Sequence, residues 1–423
     1  MSAISTIDEL VRGSRERAVW VKVGRVFDGA DVIRDAYVQF DAKTILYVGA
    51  RGPAAGEQVL VLEEYTVLPC LIEAHAHLFL DGAPVNSEQR EGYLKQSSEW
   101  MLARARQRWQ KILQFGVGAV RDAGDKLGVG LALAAEGNQF AGKLREVPYI
   151  DSPGAAIHHR GRYGAFMGRP VEEYDSPAAC VAGRVAEGAD RIKLLVSGII
   201  NFKEGKVTAP PQMTIEEVKA FVQAAKSHGR QTFAHASGTD GVENSIEGGV
   251  NTVEHGFFVT REQLGKMRDR GIAWVPTFAP VQLQIDRAAE LKWDEVVVGH
   301  LKKIIAGHQE MLRLGQEMGV QILAGSDAGS CGVPHAAGLI DEMVHMERAG
   351  MPAAGVLKSA TGASADVLGF PEPIGRVAVG YRSRMIFTSH DPLKSVADLR
   401  KAKTVIFDGQ THHSIGDENT EGL

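Results

Sequence analysis

Cysteine is scarce in this 423-residue sequence: Cys70, Cys180 and Cys331 are the only three, with no C-x-x-C spacing. An odd, dispersed set argues against both a disulfide framework and a thiolate zinc site. Long apolar runs are missing too. No stretch approaches the roughly 18 consecutive apolar residues of a membrane-spanning helix, so no membrane partner is expected. The first twenty residues carry charges throughout and no apolar core, so no secretory leader is readable and a cytoplasmic location is the expectation. Neither sign of charge dominates. The 47 Lys and Arg against 52 Asp and Glu leave a net charge of -5, interspersed along the chain, which makes nucleic acid an unexpected partner.

What is present is a pattern of short apolar runs. Near the N-terminus, residues 20–23, 32–40, 45–48 and 59–62 are such runs, separated by turn residues such as Asp28-Gly29 and Gly52-Pro53. This is the pattern of a small antiparallel sheet. Residues 375–380, 384–388 and 404–407 echo it at the other end. Two strand-rich ends flanking one middle predict a β-sandwich built jointly by residues 1–66 and 371–423, with residues 67–370 inserted between them.

The middle alternates strand and helix eight times, with strand candidates at 67–77, 118–122, 147–152, 191–197, 231–236, 252–255, 273–278 and 321–326. They are short and mostly apolar, as strands covered on both faces should be. Helical patterns lie between them. Thr214 with Glu217 three residues later opens one that closes at Gly229, and Thr260 with Gln263 opens another that closes at Gly271. Eight α/β alternations predict a closed (β/α)₈ TIM barrel. An open doubly wound sheet is the alternative, but no G-x-G-x-x-G loop follows the first strand to support it.

The polar residues fall at the strand ends. Strand one finishes in His75-Ala76-His77, and residues two apart on a strand point the same way, so both imidazoles can share one metal. Strand five closes with His235, strand six with His255 and strand eight with Asp327, all at the carboxyl ends where barrel enzymes place their sites. Such a set suits Zn²⁺, Mn²⁺ or Fe²⁺. Lys193 lies in the apolar strand four. A protonated lysine cannot ligate a metal, but burial and nearby cations can depress its pKa and let the free amine react with CO₂ to give an anionic carbamate. The alternative is a solvated or ion-paired lysine. The loop after strand three concentrates His158, His159, Arg160, Arg162 and Arg169, a cluster suited to a carboxylate on a small-molecule substrate. Tyr163 could stack on or hydrogen-bond to that ligand, and a solvated glycine-rich loop is the bland alternative. Residues 279–300, with Trp293, form either a lid or the start of a long helix.

VLPCLIEAHAHL resembles the VLPGLIDxHxHL signature of the amidohydrolase superfamily, and AVRDAG, IKLLVSG, AHASG, TVEHG and LAGSDAG follow in order. The resemblance covers nearly the whole chain. It implies a binuclear metal-dependent hydrolase with His75, His77, carboxylated Lys193, His235, His255 and Asp327 around two divalent ions, zinc being the expected metal. It further implies attack on an amide by a metal-bridging hydroxide, with Asp327 shuttling the proton to the leaving amine. The spacing most resembles the branch of cytosolic Xaa-Pro and Xaa-Arg dipeptidases and imidazolonepropionase-like proteins. That implies a dipeptide or N-acyl amino acid as substrate, with His158 or His159 binding its carboxylate. A cyclic amide, carbamate or urea is the related alternative. A mononuclear heterocycle deaminase is a third, although such sites lack the strand-four lysine. A catalytically inactive scaffold is the non-enzyme alternative, yet no ligand is missing. Cys70 and Glu73 replace the signature's Gly and Asp, and GYRSRMIF replaces the usual GxxADLxV near the C-terminus. Cys70 is expected in the barrel floor without a catalytic role, and homo-oligomer formation stays open.

Overall fold

The N-terminal apolar runs do form strands. In the computed structural model, which describes residues 3–85, 87–414 and 416, they are β1 (Val19–Phe27), β2 (Val32–Phe40), β3 (Ile45–Gly49) and β4 (Val59–Pro69). The middle of the chain contributes β5 (Leu71–Ala76), β6 (Val117–Asp122), β7 (Tyr149–Asp151), β8 (Ala156–His158), β9 (Gly168–Pro170) and β10 (Ile192–Leu195). It continues with β11 (Ile200–Asn201), β12 (Lys206–Val207), β13 (Thr232–Ala236), β14 (Thr252–His255) and β15 (Ala273–Val275). The C-terminal region adds β16 (Arg384–Thr388), β17 (Lys403–Phe407) and β18 (Gln410–Ser414).

Both termini share one seven-stranded sheet, ordered β18-β17-β16-β4-β1-β2-β3. Among the described residues it is not resolved into the two facing layers of a sandwich. β4 is the seam, parallel to β1 on one side and antiparallel to β16 on the other. Val21, Val23, Val38, Phe387 and Ile406 bury one face, against which helix Ala3–Ser14 packs Ile7 and Val11. Residues 375–380 are a bend and turn instead of the expected strand, because Gly375 and Gly380 take φ of 82° and 87°. β18 escapes the apolar pattern, since Gln-Thr-His-His-Ser joins the sheet through backbone pairing with β17. A buried charge cluster clamps this sheet to the rest. Asp408 accepts from the Arg145 backbone N–H (2.8 Å) and from Arg384 (2.9 Å), and both arginines also meet Glu372.

The middle forms parallel sheets, as an α/β chain requires: β5-β6-β7, and β15-β14-β13-β10-β8-β9. Two expected strands differ. The run 67–77 divides at Cys70, where the chain changes partner: Cys70 N–H donates to Arg384 O in the terminal sheet, and Leu71 N–H to Gly116 O beside β6. The segment 321–326 makes only a single parallel bridge, Trp274↔Ile322, although its backbone bonds reach β15 (Leu323 N–H to Trp274 O, 2.9 Å) and β5 (Ala74 N–H to Ala324 O, 3.0 Å). Its small residues let it approach closely. A Cβ on Gly325 would stand 2.9 Å from the His75 nitrogen and 2.5 Å from Val275 Cγ1. The helix signals hold at both expected places. Reciprocal capping boxes of Thr214 with Glu217 and Thr260 with Gln263 open Ile215–Ser227 and Arg261–Arg270. Among the described residues, no helix is long and apolar enough to cross a membrane.

Candidate active site

Strand ends and the 321–330 segment bring their polar side chains to one place. His75, in β5, and His77, just past it, each put Nε2 3.6 Å from Asp327 Oδ1. One ligand atom from each of these three lies within 4.8 Å of the others. The His255 ring, ending β14, is 5.1 Å from His75 and 4.4 Å from His235 of β13. Lys193 of β10 holds its Nζ 4.6 Å from the ring of Phe233, its partner in register on β13. All six residues line one cleft of about 170 Å³, open to solvent at its mouth.

Burial decides the charge states. It pushes His77 and His235 down to about 3, with the nearby Lys193 charge acting in the same direction. His75 and His255 lie well below the usual imidazole range for the same first reason, joined by Lys193 at His75 and by His235 at His255. Neutral imidazoles are the form that ligates a metal. Hydrogen bonds then select the tautomer. His75 Nδ1–H donates to Glu254 Oε2 (2.5 Å) and His77 Nδ1–H to Gly124 O (3.0 Å), leaving both Nε2 lone pairs for the site. His75 Nε2 and Lys193 Nζ are buried with no hydrogen-bond partner. An unsatisfied buried polar atom costs roughly 1–3 kcal/mol, so these atoms favour a coordinating ion. The donor set, imidazole nitrogens with one carboxylate, fits a borderline divalent metal. Burial also pushes the Lys193 amine down, towards its neutral form, and the Asp327 carboxyl up, against the opposing hydrogen bond from Ser330 Oγ (2.9 Å).

Several supporting residues escaped the sequence reading. Glu254 takes both the His75 N–H and the Arg121 guanidinium, whose Nη2 donates at 2.8 and 2.9 Å. Arg121 also donates to Ala74 O and Thr252 Oγ1. Neighbours on a strand point to opposite faces, yet Glu254 and His255 both reach the centre. The left-handed φ of 67° at His255 breaks the alternation. Trp274 Nε1–H donates to His255 O (2.9 Å), and Thr277 Oγ1 lies 2.7 Å from His255 Nδ1. The usable signal was two charges, Arg121 and Glu254, inside otherwise apolar strands.

The loop after strand three divides. Tyr163 lines the cleft, its ring 5.0 Å from that of His235. His158, His159 and Arg160 do not line it. His158 is buried in β8 and donates through Nδ1 to His159 O. His159 faces Glu172 (2.7 Å) and Glu217 (3.1 Å), while Arg160 is exposed and bonds Glu172 through its backbone N–H. Arg162 donates to Pro210 O and Arg169 pairs with Glu187. Arg90 enters the cleft instead, from helix Ser87–Leu94, whose polar sequence carries no distinguishing signal. The stretch 279–300 is both wall and helix start. Helix Ala279–Asp286 lends Pro280 and Val281 to the cleft, Trp293 meets Phe202 at 6.3 Å, and the long helix Glu295–Met318 follows.

Residues 66–411 match the amidohydrolase family. The chain belongs to that family. Membership makes it a hydrolase acting on carbon–nitrogen bonds, as the motif resemblance implied. This amidohydrolase is 24% identical over 359 residues to an uncharacterized protein of Mycobacterium tuberculosis, a match covering 85% of this chain and 88% of that one. It is 23% identical over 403 residues to the ochratoxinase of Aspergillus niger, covering 88% and 81% respectively. Among solved structures, a Xaa-Pro dipeptidase with methionine bound in its active site superposes with a TM-score of 0.76 at 27% identity, over 94% of this chain and all 100% of that one. The A. niger ochratoxinase structure shares the fold at a TM-score of 0.76 and 20% identity, over 93% and 95% of the two chains.

Proposed function

We propose that this amidohydrolase cleaves the amide bond of a dipeptide or N-acyl amino acid at a binuclear metal centre. The observation that carries the reading is the meeting of all six ligand-type residues in one buried cleft, with His75 Nε2 and Lys193 Nζ lacking any hydrogen-bond partner there. His75, His77 and Asp327 would hold one divalent ion, His235 and His255 a second. Lys193, carboxylated by CO₂ with loss of a proton, would bridge the two, and zinc is the expected metal. When bound, such a pair polarises a carbonyl and supplies hydroxide near neutral pH. Asp327, its carboxyl pushed up by burial, accepts the proton of the attacking nucleophile and returns it to the leaving nitrogen. Ile200, Phe202, Phe257 and Val281 would offer the acyl group an apolar lining. The 27% identity to a Xaa-Pro dipeptidase supports the choice of a peptide-like amide.

The scaffold belongs to the same reading. β5, β6, β7, β10, β13, β14, β15 and the 321–326 segment would close as a (β/α)₈ barrel spanning residues 67–370, with 1–66 and 371–423 as the flanking β domain. The backbone bonds of 321–326 to both β15 and β5 support closure on one side, and the bond from Asp190 N–H to Ser152 O (2.8 Å) supports it between β7 and β10.

Asp327→Asn tests the chemistry. Turnover of N-acyl amino acids should fall about 10²–10⁴-fold, the usual worth of a positioned proton carrier, while much of the metal stays bound by elemental analysis. Near wild-type turnover would overturn the assigned role. A wild-type enzyme that releases no amine from dipeptides or N-acyl amino acids, and purifies with less than about one divalent ion per chain, would overturn the function itself.

A further inference from the structure

We propose that Arg90 is the specificity-determining residue of this cleft: its guanidinium binds a carboxylate on the leaving amine, so the enzyme releases free α-amino acids. This deepens the amide-hydrolase reading and rests on it. Among the described residues, Arg90 and Lys193 are the cations lining the cleft. Lys193 is buried against Phe233 and is the bridging ligand of the proposed metal centre. Arg90 is therefore the cation left for substrate. Its own partners are the Gly329 carbonyl, which accepts from Nη1 at 2.9 Å, and the Phe166 ring, 6.0 Å from the guanidinium carbon. Neither is a carboxylate. One N–H is used to aim the fork, and the others remain for an anion that can accept two parallel hydrogen bonds.

Position then says which end of the substrate carries that anion. Gly329 lies two residues beyond Asp327, so Arg90 is tied to the segment that holds the proton carrier. Its charge acts on Asp327, His77 and Tyr163 together. A carboxylate one carbon from the nitrogen protonated by Asp327 would fall on this side. The rest of the lining includes Ile200, Phe202, Phe257 and Val281, apolar side chains against which an unpaired carboxylate is strongly disfavoured. The arginines of the loop after strand three do not line the cleft: Arg160 is exposed, Arg162 donates to the Pro210 carbonyl and Arg169 pairs with Glu187.

The test uses metal-replete enzyme and three matched sets: N-acetyl-L-amino acids, their carboxamides, and N-succinyl amines with the carboxylate on the acyl arm. In the wild type, kcat/KM should favour the free acids over both other sets by about 30-fold, as expected for a charge-assisted pair. In Arg90→Met the acid-to-carboxamide ratio should approach one, the loss appearing in KM, with Arg90→Lys intermediate. A purely structural role would lower acid and carboxamide turnover alike and leave the ratio standing, which overturns the proposal. Calorimetric titration of free amino acids gives a second readout. Binding that weakens at least about tenfold in Arg90→Met supports it, and binding that is absent or equal in the two proteins overturns it. If the wild type cleaves none of the sets, the amide reading fails on its own and the calorimetry still decides Arg90.

Discussion

Glu254 is fully buried, yet each of its oxygens is in use. It takes the His75 N–H on one side and Arg121 Nη2 on the other, so one carboxylate sets the tautomer of a ligand and neutralises a cation beneath the site. Glu254→Gln breaks the pair and strands Arg121. We expect about 3–5 kcal/mol of lost stability in urea unfolding of the metal-free protein. Metal affinity should drop roughly 10–100-fold in a chelator competition, and an unchanged affinity would show that Glu254 does not orient His75. At this scale the histidines and Asp327 were legible, because ligand-type residues at successive strand ends form a pattern along the chain. Glu254 and Arg121 were not, since their pairing spans 133 residues and exists only after the strands assemble. Arg90 sits in a polar helix where nothing local separates it from a solvated charge.

Elements were more legible than their boundaries. The capping boxes at Thr214 and Thr260 are local chemistry, so their helices begin where the sequence places them. The division of 67–77 at Cys70 is a change of partner inside one apolar run, and no local signal marks it. The 321–326 segment is the sharper lesson: it occupies a strand's place with a single bridge, because Ala324, Gly325 and Ser326 are small enough to lie directly against His75 and Val275. Gly325→Ala should therefore act on the site through the backbone. Overpacking of about 1–3 kcal/mol is expected, read as a lower unfolding midpoint, together with reduced metal content as His75 is displaced. A variant with the wild-type midpoint and full metal would mean that the segment yields without moving the ligand.

Across the whole molecule, burial raises the pKa of several acids. Glu73, hydrogen-bonded to Ser326, is pushed up to about 7. Glu342, on helix Ala337–Arg348, is raised from an ordinary 4.5 to about 8, with Oε2 accepting the Ala279 N–H at 2.8 Å and Oε1 unpaired. The folded state thus holds a proton that the unfolded chain gives up above 4.5. The stabilising contribution is complete below 4.5 and is lost as pH rises from there through about 8. Glu342→Gln keeps the acceptor for Ala279 and removes the titration, so its unfolding midpoint should decline less steeply than that of the wild type between pH 5 and pH 9. Parallel midpoint-against-pH curves for the two proteins would exclude Glu342 as a source of the slope.

The seam strand β4 has one more consequence, and it concerns time. Thr66 to Pro69 pair with Met385 to Thr388, so this stretch of β4 finds its partner only after the whole intervening chain has been made. Until then a nascent molecule carries an open edge of apolar backbone, the kind of surface on which strangers pair. That edge depends on β16, and a product that stops short of Arg384 is left with it exposed.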